Sequence, residues 1–321
     1  MSRVTWKAPV LLVILLSAVV YGYNYLNQGS QLEAEPFPIE DFLKVDDYPL
    51  YTGKYVGDYR YDAYLESGIR PELSDIGCTC FVDGLVFGRN FDFPANPALL
   101  LWTYPEDGYR SVSMVDLGYF EYSLDNQPAD PSGLEFTPYM PFDGMNEKGL
   151  VVAMAAIPYA EPPVSTGKVS IGEIAAIRLL LDHASDVDEA IELLSEYNVE
   201  MTDPPIHYLV ADARGDSVII EFLDEEMKLY RSHEPQIITN FLVSGVNLPD
   251  GSPCRRYDAV YNGFADNEED MSAEYAFSLL DASSQSETIW SIVYDMENLT
   301  VHVAMGRDYS EVHTFELNSG S

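Results

Sequence analysis

The chain has 321 residues, 47% of them hydrophobic, and a formal net charge of −36 from 17 basic and 53 acidic side chains. That much apolar material can build one large core or two small ones, which excludes global disorder. So strong an acidic excess excludes general nucleic-acid binding and docking on anionic headgroups, both of which need a basic face.

The acidic excess reads as a solubilising surface, or as adaptation to high salt, where repulsion among carboxylates is screened. At the start of the chain, Arg3 and Lys7 precede an apolar run from Ala8 to Tyr21. A basic region followed by such a run suits an export signal, and the run is short for a membrane span of about 20 residues. Trp6 on one side and Tyr21, Tyr23 and Tyr25 on the other are placed like an interfacial aromatic belt, which favours a retained anchor. Residues 1–26 are therefore read as a signal peptide or membrane anchor, in or across a membrane. The remainder is expected outside the cytoplasm, secreted or anchored. Residues 27–77 are polar, acidic and tyrosine-rich, and are read as an acidic spacer or pro-segment that packs in part on the domain after it.

Residues 77–93 read Gly-Cys-Thr-Cys-Phe-Val-Asp-Gly-Leu-Val-Phe-Gly-Arg-Asn-Phe-Asp-Phe. Asp83-Gly84 between apolar β-formers predicts a hairpin with Cys78 to Phe81 as one arm and Leu85 to Phe87 opening the other. A basic group near a thiol favours the reactive thiolate, and a nearby carboxylate can accept protons or orient a base; Arg89 and Asp92 offer these to Cys78. Alternation puts positions 89 and 92 on opposite faces of a regular strand. Both reach one site only if the strand breaks near Asn90, and Pro94 suggests that it ends there. Cys78, Cys80 and Cys254 are too few for a disulfide framework. A Cys80–Cys254 pair and two small buried hydrophobes are both open readings.

Further on, Ala98 to Thr103 and Tyr109 to Leu117 read as paired strands, and residues 123–141 as a long loop at a substrate entrance. The turn Asn146-Glu147-Lys148-Gly149 feeds a buried strand. Ile174, Ile177, Arg178 and Leu181 are spaced for a helix, as are Val187, Ala190, Ile191, Leu194 and Tyr197; Ser185 or Asp186 can cap the second. Hairpins are expected over 207–222 and 288–304, a strand over Ile237–Phe241, a loop or helix start at 254–257 and a helix over Ser272–Asp281. Many hairpins with helices packed on them give an α+β class. His183, His207, His233, His302 and His313 show no zinc spacing, and no Gly-rich phosphate loop appears. Neither a metal nor a cofactor is expected. His207 reads as a packed strand histidine near the site.

Gly-Cys-Thr-x-Phe followed by Gly-Arg-Asn-Phe-Asp-Phe resembles the start of the mature chain in N-terminal-nucleophile amide hydrolases. The similar groups are the choloylglycine hydrolase and penicillin V acylase family and the related acyl-CoA:6-aminopenicillanate acyltransferases. Gly-Met-Asn-Glu-Lys-Gly-Leu at 144–150, the 207–222 hairpin and Thr239-Asn240 continue the likeness in order. The resemblance implies a four-layer αββα sandwich of antiparallel sheets, with residues 78–321 as the catalytic domain. It implies a cut between Gly77 and Cys78, after which Cys78 supplies both the nucleophile and, through its α-amine, the base. Cys78 is preferred to Cys80 because Gly-Cys-Thr matches the family. Arg89 would hold the thiolate, Asp92 the α-amine, Asn240 the oxyanion, and Arg256, with Arg255 competing, would complete the charge network.

The implied substrate is a small-molecule N-acyl amide cleaved at a linear C–N bond, with transfer of the acyl group to an amine, or a catalytically silent exported binding domain, as alternatives. Homo-oligomer formation is left open. Two departures stand out. Arg89 follows Cys78 by 11 positions, several fewer than the family commonly shows. Ala156 occupies the place where bile-salt-cleaving relatives carry an asparagine, which weakens bile-salt activity in particular.

Overall fold

The protein is seen as a computed structural model that describes residues 39–67, 77–246, 252–267 and 270–320. The apolar run Ala8 to Tyr21 and the acidic residues 27–38 lie outside the described residues, and the signal-or-anchor expectation lies there with them. Among the described residues no helix is long and apolar enough to cross a membrane.

Among these residues two large sheets face each other. The first holds nine strands in the spatial order β1 (Ile39–Lys44), β2 (Leu50–Val56), β5 (Ala98–Tyr104), β6 (Ser111–Asp116), β7 (Asp143–Asn146), β8 (Val151–Ala156), β11 (Ile206–Ala211), β12 (Ser217–Leu223) and β13 (Glu226–Ser232). The second holds six: β14 (Gln236–Ile238), β3 (Gly77–Asp83), β4 (Val86–Asp92), β15 (Thr288–Asp295), β16 (Thr300–Met305) and β17 (Val312–Glu316). A short parallel pair joins β9 (Ser170–Gly172) to β10 (Asn198–Glu200). A short helix α1 (Tyr61–Ser67) follows β2. Helices α2 (Glu173–His183) and α3 (Val187–Ser195) cover the outer face of the nine-stranded sheet against β7, β8 and β11. Helices α4 (Arg255–Asp266) and α5 (Ala273–Ser283) cover the six-stranded sheet against β14, β3, β4 and β15. With β3 against β8 between the sheets, the order is αββα, the four-layer sandwich.

Strand alternation divides β3 between two cores. Cys78, Cys80 and Val82 join the apolar cluster between the sheets, whereas Phe81 joins the cluster under α4 and α5 with Ile237, Tyr257 and Leu280. Gly88 lies opposite Phe81, and a Cβ there would stand 2.4 Å from the ring. The helix starts follow ordinary capping chemistry: Asp186 accepts from the Glu189 N–H at 3.0 Å, and Ser272 from the Tyr275 N–H at 3.1 Å.

Some expectations change. Residues 39–56, read as part of an acidic spacer, form β1 and β2 at the edge of the nine-stranded sheet. There β2 runs parallel to β5, from Leu50 opposite Ala98 to Val56 opposite Tyr104. Leu50, Tyr51 and Tyr55 are buried by this pairing; Gly53 and Lys54 interrupt the apolar alternation that would have marked the strand. The break expected near Asn90 is absent. β4 stays paired on both sides through Phe91 and ends at Asp92, where β15 bulges between Thr288 and Trp290. Residues 255–266 form a full helix because Tyr257 and Val260 bury one face of it, although polar residues dominate its sequence.

Candidate active site

In the β3–β4 pair, Cys78 lies opposite Phe91, Cys80 opposite Arg89, and Gly77 opposite Asp92. Cys78 and Arg89 therefore share the inter-sheet face as diagonal neighbours, a separation a long side chain spans. The Arg89 Nη2 donates to Cys78 Sγ at 3.3 Å. Both side chains are fully buried. The guanidinium is fixed from its other end: Nη1 donates to the Phe142 carbonyl and to Asp143 Oδ2 at 2.5 Å, and Tyr294 donates its hydroxyl to the second Asp143 oxygen. Burial pushes the Cys78 thiol up from its ordinary value, and the charge of Arg89 and its hydrogen bond pull only partly against this. The thiol is thus the resting form while position 78 sits inside an intact chain.

The opposite face carries the second half of the site. Asn90 donates from Nδ2 to the Leu280 carbonyl of α5 at 2.8 Å, which marks this face as the helix side. Asp92 shares it, accepting from Thr288 Oγ1 at 2.5 Å and Gln285 Nε2 at 2.8 Å. Arg256, on the first turn of α4, stands 3.5 Å from Asp92 Oδ2 and donates to Thr79 Oγ1 at 3.1 Å and to the Cys78 carbonyl. Its Nη2 donates to Asn240 Oδ1 at 2.7 Å. The same oxygen accepts the Cys78 backbone N–H at 3.0 Å, while Asn240 Nδ2 donates to the Ala156 carbonyl at 2.9 Å.

One hydrogen-bonded set therefore joins Cys78, Arg89, Asn240, Arg256 and Asp92. The geometry does not require Arg89 and Asp92 to share a face. The sulfur of Cys78 is served from between the sheets, and its backbone nitrogen, at the strand end, from the helix side. Gly77 fits this crowding because a Cβ there would meet Asp92 Cβ at 2.8 Å and Gln285 Nε2 at 3.1 Å. Arg256 rather than the exposed Arg255 enters the set. All three cysteines are free. Cys80 Sγ approaches the Met154 carbonyl at 3.8 Å between the sheets, and Cys254 precedes α4 on the other side.

Sequence reasoning missed Asp143, Thr288 and Gln285. Asp143 carried a signal, an acidic residue opening a short buried strand; Thr288 and Gln285 carried none. Among the described residues one set of metal-ligand types converges, with donor atoms of Asp46, Glu311 and His313 within 4.8 Å of one another. It ties the segment after β1 to β17 and shares no residue with the cysteine site.

A family model for linear amide C–N hydrolases of the choloylglycine hydrolase family matches residues 82–243. The chain belongs to that family. The match takes in Arg89, Asp92, Asp143 and Asn240, begins just after Cys78 and ends before Arg256. Penicillin V acylase of Pectobacterium atrosepticum is 26% identical over 194 residues, 51% of this chain and 49% of that protein, so the chain spans about half the length of this curated relative. Among solved structures, penicillin V acylase from Agrobacterium tumefaciens superposes with a TM-score of 0.55 at 17% identity, covering 76% of this chain and 89% of that one. A mutant of conjugated bile acid hydrolase from Clostridium perfringens superposes with a TM-score of 0.54 at 16% identity, covering 75% and 92%. These two similarities show a shared fold over about three quarters of the chain.

Proposed function

We propose that this chain is a cysteine amide hydrolase that works outside the cytoplasm and is activated by hydrolysis of its own Gly77–Cys78 bond. One observation carries the reading: a single residue has its sulfur 3.3 Å from a buried arginine and its backbone nitrogen 3.0 Å from Asn240. Water added across the Gly77–Cys78 bond leaves a carboxylate on Gly77 and an amine on Cys78. The new amine has an ordinary pKa of about 7.7–8.0, near working pH, where a base is most useful. It takes the proton from its own thiol, and the sulfur attacks the carbonyl carbon of an N-acyl amide. Arg89 stabilises the sulfur's negative charge, Asp92 and the Asn240 carbonyl oxygen hold the amine, and Arg256 holds the Cys78 carbonyl. The Asn240 amide, steered by the Ala156 carbonyl, donates to the oxyanion. The amine returns the proton to the leaving nitrogen, a thioester remains on Cys78, and water releases the acid.

The family match and the penicillin V acylase similarity support an N-acyl amide as the substrate class. The basic and apolar start of the chain supports export. The test is mass analysis of the purified protein together with hydrolysis assays. Penicillin V and conjugated bile acids are the first probes, because related proteins are named for them. Wild type is expected to begin at Cys78 and to hydrolyse at least one such amide, and Cys78→Ala to remain uncut and inactive. Turnover by protein with an intact Gly77–Cys78 bond, or by the alanine variant, overturns the reading.

A further inference from the structure

Asn240 sits on a short connection after β14, and a second buried pair holds that connection at both ends. His207, on β11, has no exposed surface. Its Nε2 lies 2.9 Å from the Thr239 carbonyl oxygen, and its Nδ1 lies 3.3 Å from Glu221 Oε1. Glu221, on β12, is equally buried, and it accepts the Val243 N–H at 2.6 Å and the Ser244 N–H at 3.2 Å. One imidazole thus grips the residue before Asn240, and one carboxylate grips the turn after it.

The chemistry of these contacts fixes one proton position. A carbonyl oxygen only accepts, so Nε2 carries a hydrogen. Burial raises the Glu221 carboxyl, but hydrogen bonds from His207, Ser244 and Val243 outweigh this and hold it below the usual carboxylate range. The Nδ1 edge of the ring faces that carboxylate in a dry site, so the two side chains form one buried polar pair. A buried pair of this kind is sensitive to loss of either member, because the survivor is left uncompensated.

We infer that His207 and Glu221 are positioning residues which hold the 239–244 connection so that the Asn240 amide stays aimed at the nucleophile. Neither touches Cys78, and both act through backbone groups on either side of Asn240. The inference rests on the proposed amide hydrolysis for its consequence, whereas the brace itself can be read without any substrate.

Two measurements on the full chain test it. Hydrogen exchange of peptides covering 236–246 reads the brace, and steady-state kinetics on the amide that wild type hydrolyses best reads its effect. His207→Leu should speed exchange in that segment. It should lower kcat about 10- to 100-fold, short of the ~100- to 1000-fold loss expected when an oxyanion donor itself is removed, with KM little changed. His207→Gln keeps one N–H for the Thr239 carbonyl and should recover much of the kcat. In an Asn240→Ala background, His207→Leu should have almost no further effect on kcat, because both changes remove the same interaction. Unchanged exchange in correctly folded His207→Leu, or a full and additive kcat loss on top of Asn240→Ala, overturns the inference. Failure of wild type to hydrolyse any amide would overturn the functional reading instead, and the exchange result would still decide the brace.

Discussion

Arg178 and Arg89 are both fully buried, yet their surroundings differ. Arg178, on α2, has its donors filled by oxygens: the Pro138 carbonyl at 2.8 Å, the hydroxyls of Thr103, Ser111 and Ser113 at 3.0, 2.7 and 2.9 Å, and Asp182 one turn on at 3.3 Å. Arg89 is anchored at one end by Asp143 and the Phe142 carbonyl. Its other end faces a sulfur, a weak acceptor, and its Nε has no hydrogen-bond partner among the described residues. The first guanidinium is a crosslink between the sheet and α2. The second has hydrogen-bonding capacity in reserve, which a neutral thiol does not fill and a thiolate would.

This contrast can be broken experimentally, and the largest change is expected on the structural side. Arg178→Met strands the buried Asp182 carboxylate and should cost about 3–5 kcal/mol of stability, read by urea unfolding, while activity per folded molecule persists. Asp116 provides a reference without a guanidinium, since its hydrogen bonds come from the neutral Asn96 side chain and the Gly118 N–H. Burial pushes its carboxyl up to about 7, so the folded state holds this proton more tightly than the unfolded chain does. The penalty is absent below about pH 4, grows through the interval and is complete above about pH 7. Asp116→Asn keeps the acceptor for Gly118 and should stabilise the protein at pH 8 by up to about 4 kcal/mol, with the gain vanishing below pH 4 in thermal melts.

Arg89→Met should lower amide hydrolysis about 100- to 1000-fold, the scale of losing a preorganised charge-stabilising group. It should destabilise the fold less than Arg178→Met does, because Arg89 serves two oxygens and a sulfur where Arg178 serves five oxygens. A melting temperature that falls as far as in Arg178→Met would erase the distinction. The smallest change is expected for Asp143→Asn, which frees one end of Arg89 and should slow hydrolysis about 10-fold, or ~1.4 kcal/mol, with substrate binding little affected.

The parts of the fold that depend on local pattern could be read from the residues. Asp83-Gly84 and the runs beside it gave the β3–β4 hairpin, and the 3.6-residue spacing of Ile174, Ile177 and Leu181 gave α2. What could not be read depends on distant partners. β2 is completed by β5, and α4 takes its order from Tyr257 and Val260 against the second sheet. At the site, Cys78, Arg89, Asp92, Asn240 and Arg256 could be named from motifs, but not the way two faces of one strand meet at its end. Asp143 escaped notice because its role is set by Arg89, which is 54 positions away in the chain.

The parallel seam between β2 and β5 bears on how the two parts of the chain would behave after the proposed cut. Residues 39–67 precede the proposed cut, yet seven consecutive residues of β2 are paired with β5, Tyr59 donates to Asp182 beneath the Arg178 crosslink, and Tyr61 donates to the Ala175 carbonyl at 2.7 Å. Cutting one peptide bond removes none of these ties. Both fragments should migrate together on a native gel and separate only in detergent, and an affinity handle fused just ahead of Ile39 should retrieve the catalytic portion with it.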